Sequence, residues 1–228
     1  MSRSDIPEER FFDAKDVAPD AIVAVQKFDA ALLAAALKGG ADPNELDERG
    51  WSAAMWAARG FPREPEQPWM AGALAIRAQC LGILAQHGAN LSAKNNMSWT
   101  PAHWPARDGN EPALRILARQ GALDFPTHAY IGAPARLAIL EGRFACISTL
   151  AKFGVFEKMD NGEIAKLATS CSADSCGGPG LAHWISVLPA CKASRLLHTL
   201  SRDEKFAATA SAPCLEVIRT LAERHASS

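Results

Sequence analysis

The sequence predicts an all-α protein, an α-solenoid of stacked helix-turn-helix repeats. Three observations carry this. Alanine is abundant, and the short apolar/polar alternations of strands are missing, a combination that favours helix over sheet. A glycine that ends a helical run recurs at a fixed period. A second motif, which starts a helix, follows each glycine at a constant distance.

The glycine stops are Gly40-Ala41, Gly88-Ala89 and Gly121-Ala122, followed by the near match Gly154-Val155. Their spacings are 48, 33 and 33 residues, so one unit carries an insertion. Eight and seven positions before the glycines stand Leu32/Leu33, Cys80/Leu81, Ala113/Leu114 and Cys146/Ile147. Four before stand Ala36, Leu84, Leu117 and Leu150. Offsets of three and four place these on one helical face. The glycine suits the position just past a helix, where a left-handed backbone is cheap only without a Cβ.

Twelve positions after each glycine begin "SAAMWAAR" (Ser52), "TPAHWPAR" (Thr100) and "APARLAIL" (Ala133). Ser or Thr followed by Pro is a helix start, an N-cap oxygen and then Pro at the first helical position. Each unit therefore reads as turn, short helix, loop, second helix, glycine stop. Weaker copies follow. Ile185 and Leu188 match Ile147 and Leu150, and Ile218 and Leu221 match them in turn; Lys192 and His225 stand where the glycine would be. The organisation expected is N-terminal capping helices over 1–42, repeats over 43–157 with an insertion at about 61–75, and degenerate repeats with a cap over 158–228.

The segments "GADPNELDERGWSAAMWAA" (Gly40 to Ala58), "GANLSAKNNMSWTPAHWPA" (Gly88 to Ala106) and "GALDFPTHAYIGAPARLAI" (Gly121 to Ile139) resemble ankyrin repeats. The match covers about Phe28 to Val155. Thr-Pro is intact only at Thr100-Pro101, the motif histidine stands only at His103, and Pro105 replaces a small helical residue. The resemblance implies an ankyrin-type solenoid whose inner-helix starts and hairpin tips bind other proteins. It also gives His103 a structural role, hydrogen-bonded near Thr100 and the turn. Met55 and Arg136 hold the equivalent place in adjacent units, and no nucleophile or second base sits at fixed spacing to make His103 catalytic. Pro105 would cost about 3 kcal/mol inside a regular helix, so a short or distorted inner helix is expected there.

Composition bounds the function. The formal net charge is −1, which carries no polyanion footprint, so nucleic acid is not expected as a partner. The polar N-terminus lacks a secretory signal and the most apolar run is too short to span a bilayer. Six cysteines without tight paired spacing fit a cytoplasmic location. Cys171, Cys176, His183 and Cys191 lack the spacing of a structural zinc site, and no metal or cofactor is expected. "SADSCGGPGLAH" (Ser172 to His183) lacks the Lys-Ser/Thr of a phosphate loop and is read as absorbing a five-residue insertion.

The six tryptophans divide by position. Trp56 and Trp104 are equivalent on successive inner helices and should pack between units; Trp184 is also expected in the core. Trp51 and Trp99 lie just before the inner helices and are the candidate anchors for a partner, since Trp is enriched at binding hot spots. Their alternative role is to cover the hairpin bases or each other. Arg49, Met97 and Tyr130 hold equivalent hairpin-tip positions, and Arg59, Arg107 and Asp108 lie at the ends of the inner helices. Trp69, within the insertion, either contacts the partner or folds back on the repeats. The function expected is a non-enzymatic protein-protein interaction module, monomeric when free. An immunity protein that occludes a bacterial toxin is one form of it, and an effector or adaptor acting on host or cellular proteins is another. An enzyme using Cys171, Cys176 and His183 is the reading from a different class.

Overall fold

The computed structural model describes residues 20–61, 68–123, 134–172, 178–210 and 212–226. Among them every regular element is a helix, and the one β feature is an isolated antiparallel bridge between Leu46 and Ser52. No helix among the described residues is long and apolar enough to cross a membrane. Contacts divide the chain into two compact units, Met1–Leu123 and Asp124–Ser228. The block expected over 43–157 straddles that division.

Unit 1 contains α1 (Ala21–Gln26), α2 (Ala30–Lys38), α3 (Ala53–Ala58), α4 (Pro68–Gln86), α5 (His103–Asp108) and α6 (Glu111–Arg119). The short helices α1, α3 and α5 pack in succession, as do α2, α4 and α6 behind them. Each short helix also packs on its follower, so the unit is three helix pairs side by side. Four starts are capped by side chains, whereas α5 starts at His103 behind Ala102 with no side-chain cap, so Thr100-Pro101 forms a turn ahead of the helix and not its expected N-cap and first residue. Asp20, Asp29, Ser52 and Asn110 accept from the backbone N–H three residues on, each such cap contributing about 1 kcal/mol. At the stops Gly40, Gly88 and Gly121 have φ of 95°, 79° and 71°. The following alanine N–H reaches back to the carbonyl five residues earlier, as in Ala89 to Leu84 at 3.0 Å, the hydrogen bond of a Schellman stop.

The repeated apolar positions form the core. Leu33, Cys80, Leu81, Leu84, Leu114 and Leu117 are all fully buried, and each leucine contributes about 1.5–3 kcal/mol by leaving water. Burial pushes the Cys80 thiol up to about 12, which holds it as a neutral, unreactive hydrophobe.

The insertion departs from the expected loop. Its second half extends α4, with Pro68 as the first helical residue, where a missing N–H costs nothing. Trp69 turns inward. It meets Phe61 edge-on at 5.1 Å, and Phe61 stacks with Phe28 at 6.2 Å. The Arg77 guanidinium lies over both phenyl rings at 4.6 and 4.8 Å and donates to the Arg59 carbonyl. Trp69 is therefore part of a satellite core, because its neighbours on α4 and Phe28 offer an apolar surface at once.

Unit 2 contains α7 (Pro134–Leu140), α8 (Phe144–Lys152), α9 (Val155–Lys158), α10 (Asn161–Ser172), α11 (Gly178–Val187), α12 (Ala190–Leu200), α13 (Glu204–Thr209) and α14 (Ala212–Ala226). Helices α8, α11 and α14 pack in succession. Ile147, Leu150, Ile185 and Ile218 are buried on them and Leu188 just past the end of α11, while Leu221 is half-buried. Trp184 is fully buried against Phe156. Lys192, which the spacing aligns with the glycine stops, ends no helix: α11 stops at Val187 and Lys192 lies inside α12. Its ammonium donates to the carbonyls of Phe156, Glu157 and Met159, placing a cation at the C-terminus of α9. Gly180 of "SADSCGGPGLAH" has a packing reason. A Cβ on Gly180 would sit 1.9 Å from the Ile139 carbonyl oxygen, so only glycine lets α11 approach α7 this closely.

Candidate partner-binding surface

Two hairpins precede α3 and α5 and carry the candidate anchors. In the first, Asp47 Oδ1 accepts the N–H of Arg49 at 2.9 Å and of Trp51 at 2.8 Å. In the second, Asn95 Oδ1 accepts those of Met97 at 2.9 Å and Trp99 at 3.0 Å. The same side-chain turn thus sets both tryptophans at the foot of an inner helix. The hairpins touch at their tips, where Asn96 Nδ2 donates to the Arg49 carbonyl at 3.4 Å.

The indoles form a ladder. Trp51 lies 4.9 Å from Trp56 and 4.1 Å from Trp104, Trp104 lies 4.8 Å from Trp99, and Trp99 stacks on His103 at 5.4 Å. Trp56 and Trp104 are both buried, and Trp51 contacts each of them. Guanidinium groups cover the ladder. Arg59 lies over Trp51 and Trp56 at 5.8 and 5.7 Å, and Arg107 over Trp99 and Trp104 at 5.5 and 4.7 Å. Each such contact contributes about 0.5–1 kcal/mol where exposed and more where desolvated.

Trp51 and Trp99 are half-buried, Arg49 is exposed and Met97 is 56% exposed. The two indoles therefore do both jobs weighed for them: they cover the hairpin bases and leave an edge to solvent. Arg59 and Arg107 are half-buried beside them. Tyr130 lies outside the described residues. Trp69 belongs to the satellite core. Asp108 is not a surface residue: its carboxylate is fully buried, accepts from the Gly60 N–H at 3.0 Å and pairs with Arg107 Nε at 2.6 Å. It is buried because the chain leaving α3 runs against it, where the Gly60 N–H and the Arg107 guanidinium supply its donors.

His103 is scaffold. Its Nδ1 accepts from the Thr100 N–H at 3.0 Å and lies 3.0 Å from Thr100 Oγ1, so that nitrogen carries no proton. Pro105 is the third residue of α5, inside the first turn, where helix N–H groups have no partner within the helix. The helix is short, and Pro105 leaves it undistorted enough for its carbonyl to accept from Gly109 and Asn110.

Several anchoring residues escaped the sequence reading. Asn110 is fully buried, with Nδ2 donating to the carbonyls of Ala58 and Arg59 while Oδ1 caps α6. The signal for Asp47 and Asn95 was present, an Asp or Asn four residues before each hairpin tryptophan. In unit 2, His183 Nε2 lies 2.9 Å from Ser148 Oγ on an exposed helix surface, with Phe144 at 5.1 Å. Cys176 and the Cys171 side chain lie outside the described residues. No cluster of three His, Cys, Asp or Glu suited to a metal occurs among the described residues. No protein-family model matches the chain, and no curated protein sequence matches it.

Proposed function

We propose that this chain is a non-enzymatic protein-binding module of the ankyrin type. Its three helix pairs in unit 1 act as the repeats, and the hairpin face in front of α3 and α5 takes the partner. The observation that carries this reading is the ladder of Trp51, Trp104 and Trp99 under two guanidinium groups, flanked by the exposed Met97 and Arg49. A face of this kind suits recognition because the anchors are held before the partner arrives. Little side-chain entropy is then lost on binding. Large rings and Arg at the centre with a mobile apolar side chain at the edge is the composition of binding hot spots. Neutralising a toxin by covering its active site is the role this reading suits most directly, and it places the protein in the cytoplasm.

Replacing Trp51 or Trp99 would disturb the ladder as well as any complex, so the test uses the rim. A photo-cross-linking residue at Met97 should capture one protein species, and the same residue at Arg115, exposed on α6, should not. In the reconstituted complex, Met97→Glu should weaken binding by about tenfold or more with unchanged thermal unfolding. Capture from Arg115 alone, or full affinity in both Met97→Glu and Arg49→Glu variants, would overturn the reading.

A further inference from the structure

Trp56 borders more than the ladder. Between α1 and the first hairpin lies an open groove of about 400 Å³ with Trp56 in its wall. That volume is at the low end of ligand pockets, roughly 300–1,000 Å³, and the groove opens to solvent. It has room for a side chain or two of an extended segment.

The lining has two chemistries. Four carboxylates, Asp20, Glu45, Asp47 and Glu48, face a single guanidinium, Arg49. Two of the four have work inside the protein. Asp20 caps α1 through the Val23 N–H at 2.6 Å, and Asp47 holds the Trp56 indole N–H and two backbone N–H groups. Glu45 and Glu48 are exposed, and among the described residues their carboxylates have no hydrogen bond or ion pair. The rest of the wall is Ile22, Val23, Leu46 and Trp56, with Gln26 as its one uncharged polar side chain. Leu46 is 52% exposed, one of three large exposed hydrophobic residues among those described.

An apolar wall with an acidic rim matches a side chain that has an apolar stem and a cationic head. Lysine and arginine are built that way. The stem would cover Leu46 and the edge of Trp56, and the head would meet Glu45 and Glu48 in charge-assisted hydrogen bonds. We propose that this groove takes a Lys or Arg side chain from an extended segment of the partner protein. The proposal rests on the protein-binding reading above and names the chemistry of the partner at one end of the same face.

The test uses N-acetyl-arginine methylamide as the probe and the Trp56 indole N–H as the NMR reporter. The probe should shift that resonance in a saturable way. In a Glu45→Gln/Glu48→Gln variant the apparent Kd should rise about tenfold. Leu46→Ala should weaken binding severalfold without any change of charge. A Glu157→Gln/Glu216→Gln control loses the same charge from unit 2 and should bind as the parent does. No shift up to the solubility limit of the probe overturns the proposal. So does an equal loss in the control variant, which would mean attraction to net charge alone. The reporter sits in the groove, so a failed Met97 experiment leaves this result standing, and a failed groove leaves the Met97 experiment standing.

Discussion

Asp47 and Asn95 occupy the same place in successive hairpins and differ at one end of the side chain. Each uses Oδ1 to collect two backbone N–H groups. Asp47 then has a second oxygen, which accepts the Trp56 indole N–H at 2.9 Å. Asn95 has an N–H₂ there instead. Turning its amide over would only set that donor against two backbone donors. The equivalent indole is that of Trp104, and both Trp104 Nε1 and Asn95 Nδ2 are buried with no hydrogen-bond partner. The tips differ as well. Gly50 takes a left-handed φ of 72°, and Ser98 takes a left-handed φ of 61° with a side chain. The first hairpin is satisfied and relaxed; the second is under-satisfied and strained. The second also carries Met97, the most exposed large apolar side chain described. Strain and unmet donors concentrate where a surface has a task besides folding.

The largest expected effect copies the second hairpin into the first. Asp47→Asn removes a charge-assisted bond and leaves a buried indole N–H without an acceptor, at about 1.5–3 kcal/mol. Urea unfolding followed by tryptophan fluorescence reads this, and an unchanged midpoint would show that Trp56 finds another acceptor. Next is Gly50→Ala. It forces a Cβ into a left-handed conformation and within 2.9 Å of Asn96 Oδ1, for a loss of about 1–2 kcal/mol.

The reverse exchange should stabilise. Asn95→Asp gives Trp104 an acceptor, and a gain of about 1 kcal/mol is expected. The Met97 and Trp99 amides, which donate to this side chain, should then exchange with deuterium about fivefold more slowly. A fall in stability would mean that burying the new carboxylate costs more than its hydrogen bond to Trp104 returns. The smallest effect is Ser98→Gly, which relieves the left-handed strain but adds freedom to the unfolded chain; about 0.5 kcal/mol of stabilisation should remain. If it destabilises, the Ser98 backbone is held by more than its turn.

Much of the fold was legible because it is written locally. The Gly-Ala stops, the Asp, Ser and Asn caps and the apolar offsets act within one helical turn or its edge. Lys192 shows the limit. The repeat spacing puts a helix stop there, but Lys192 lies within α12 and its ammonium reaches carbonyls more than thirty residues away. The candidate site was legible by position and not by environment. Trp51 and Trp99 could be placed at the feet of inner helices from the repeat alone. That Trp104 bridges them depends on rings 53 and 5 residues away in the chain. Asp108 read as a surface charge because its partner, the Gly60 N–H, belongs to the preceding repeat. For Trp69 the sequence left two roles open, partner contact or packing back on the repeats, because the extension of α4 and the nearness of Phe28 are both properties of the packed unit.

By itself, then, the sequence determined that this chain is helical, where the helices with a glycine stop end, and which apolar positions of unit 1 are buried. These follow from capping, φ preference and apolar periodicity, interactions that span a few residues and survive any larger arrangement. Only the tertiary structure decided which tryptophans bridge which, that Asp108 is interior, that Trp69 is core, and that the repeats fall into two units. The physical reason is reach. Hydrogen bonds and ring contacts act over a few ångströms, and whether two side chains 50 residues apart come that close depends on how the helices between them pack.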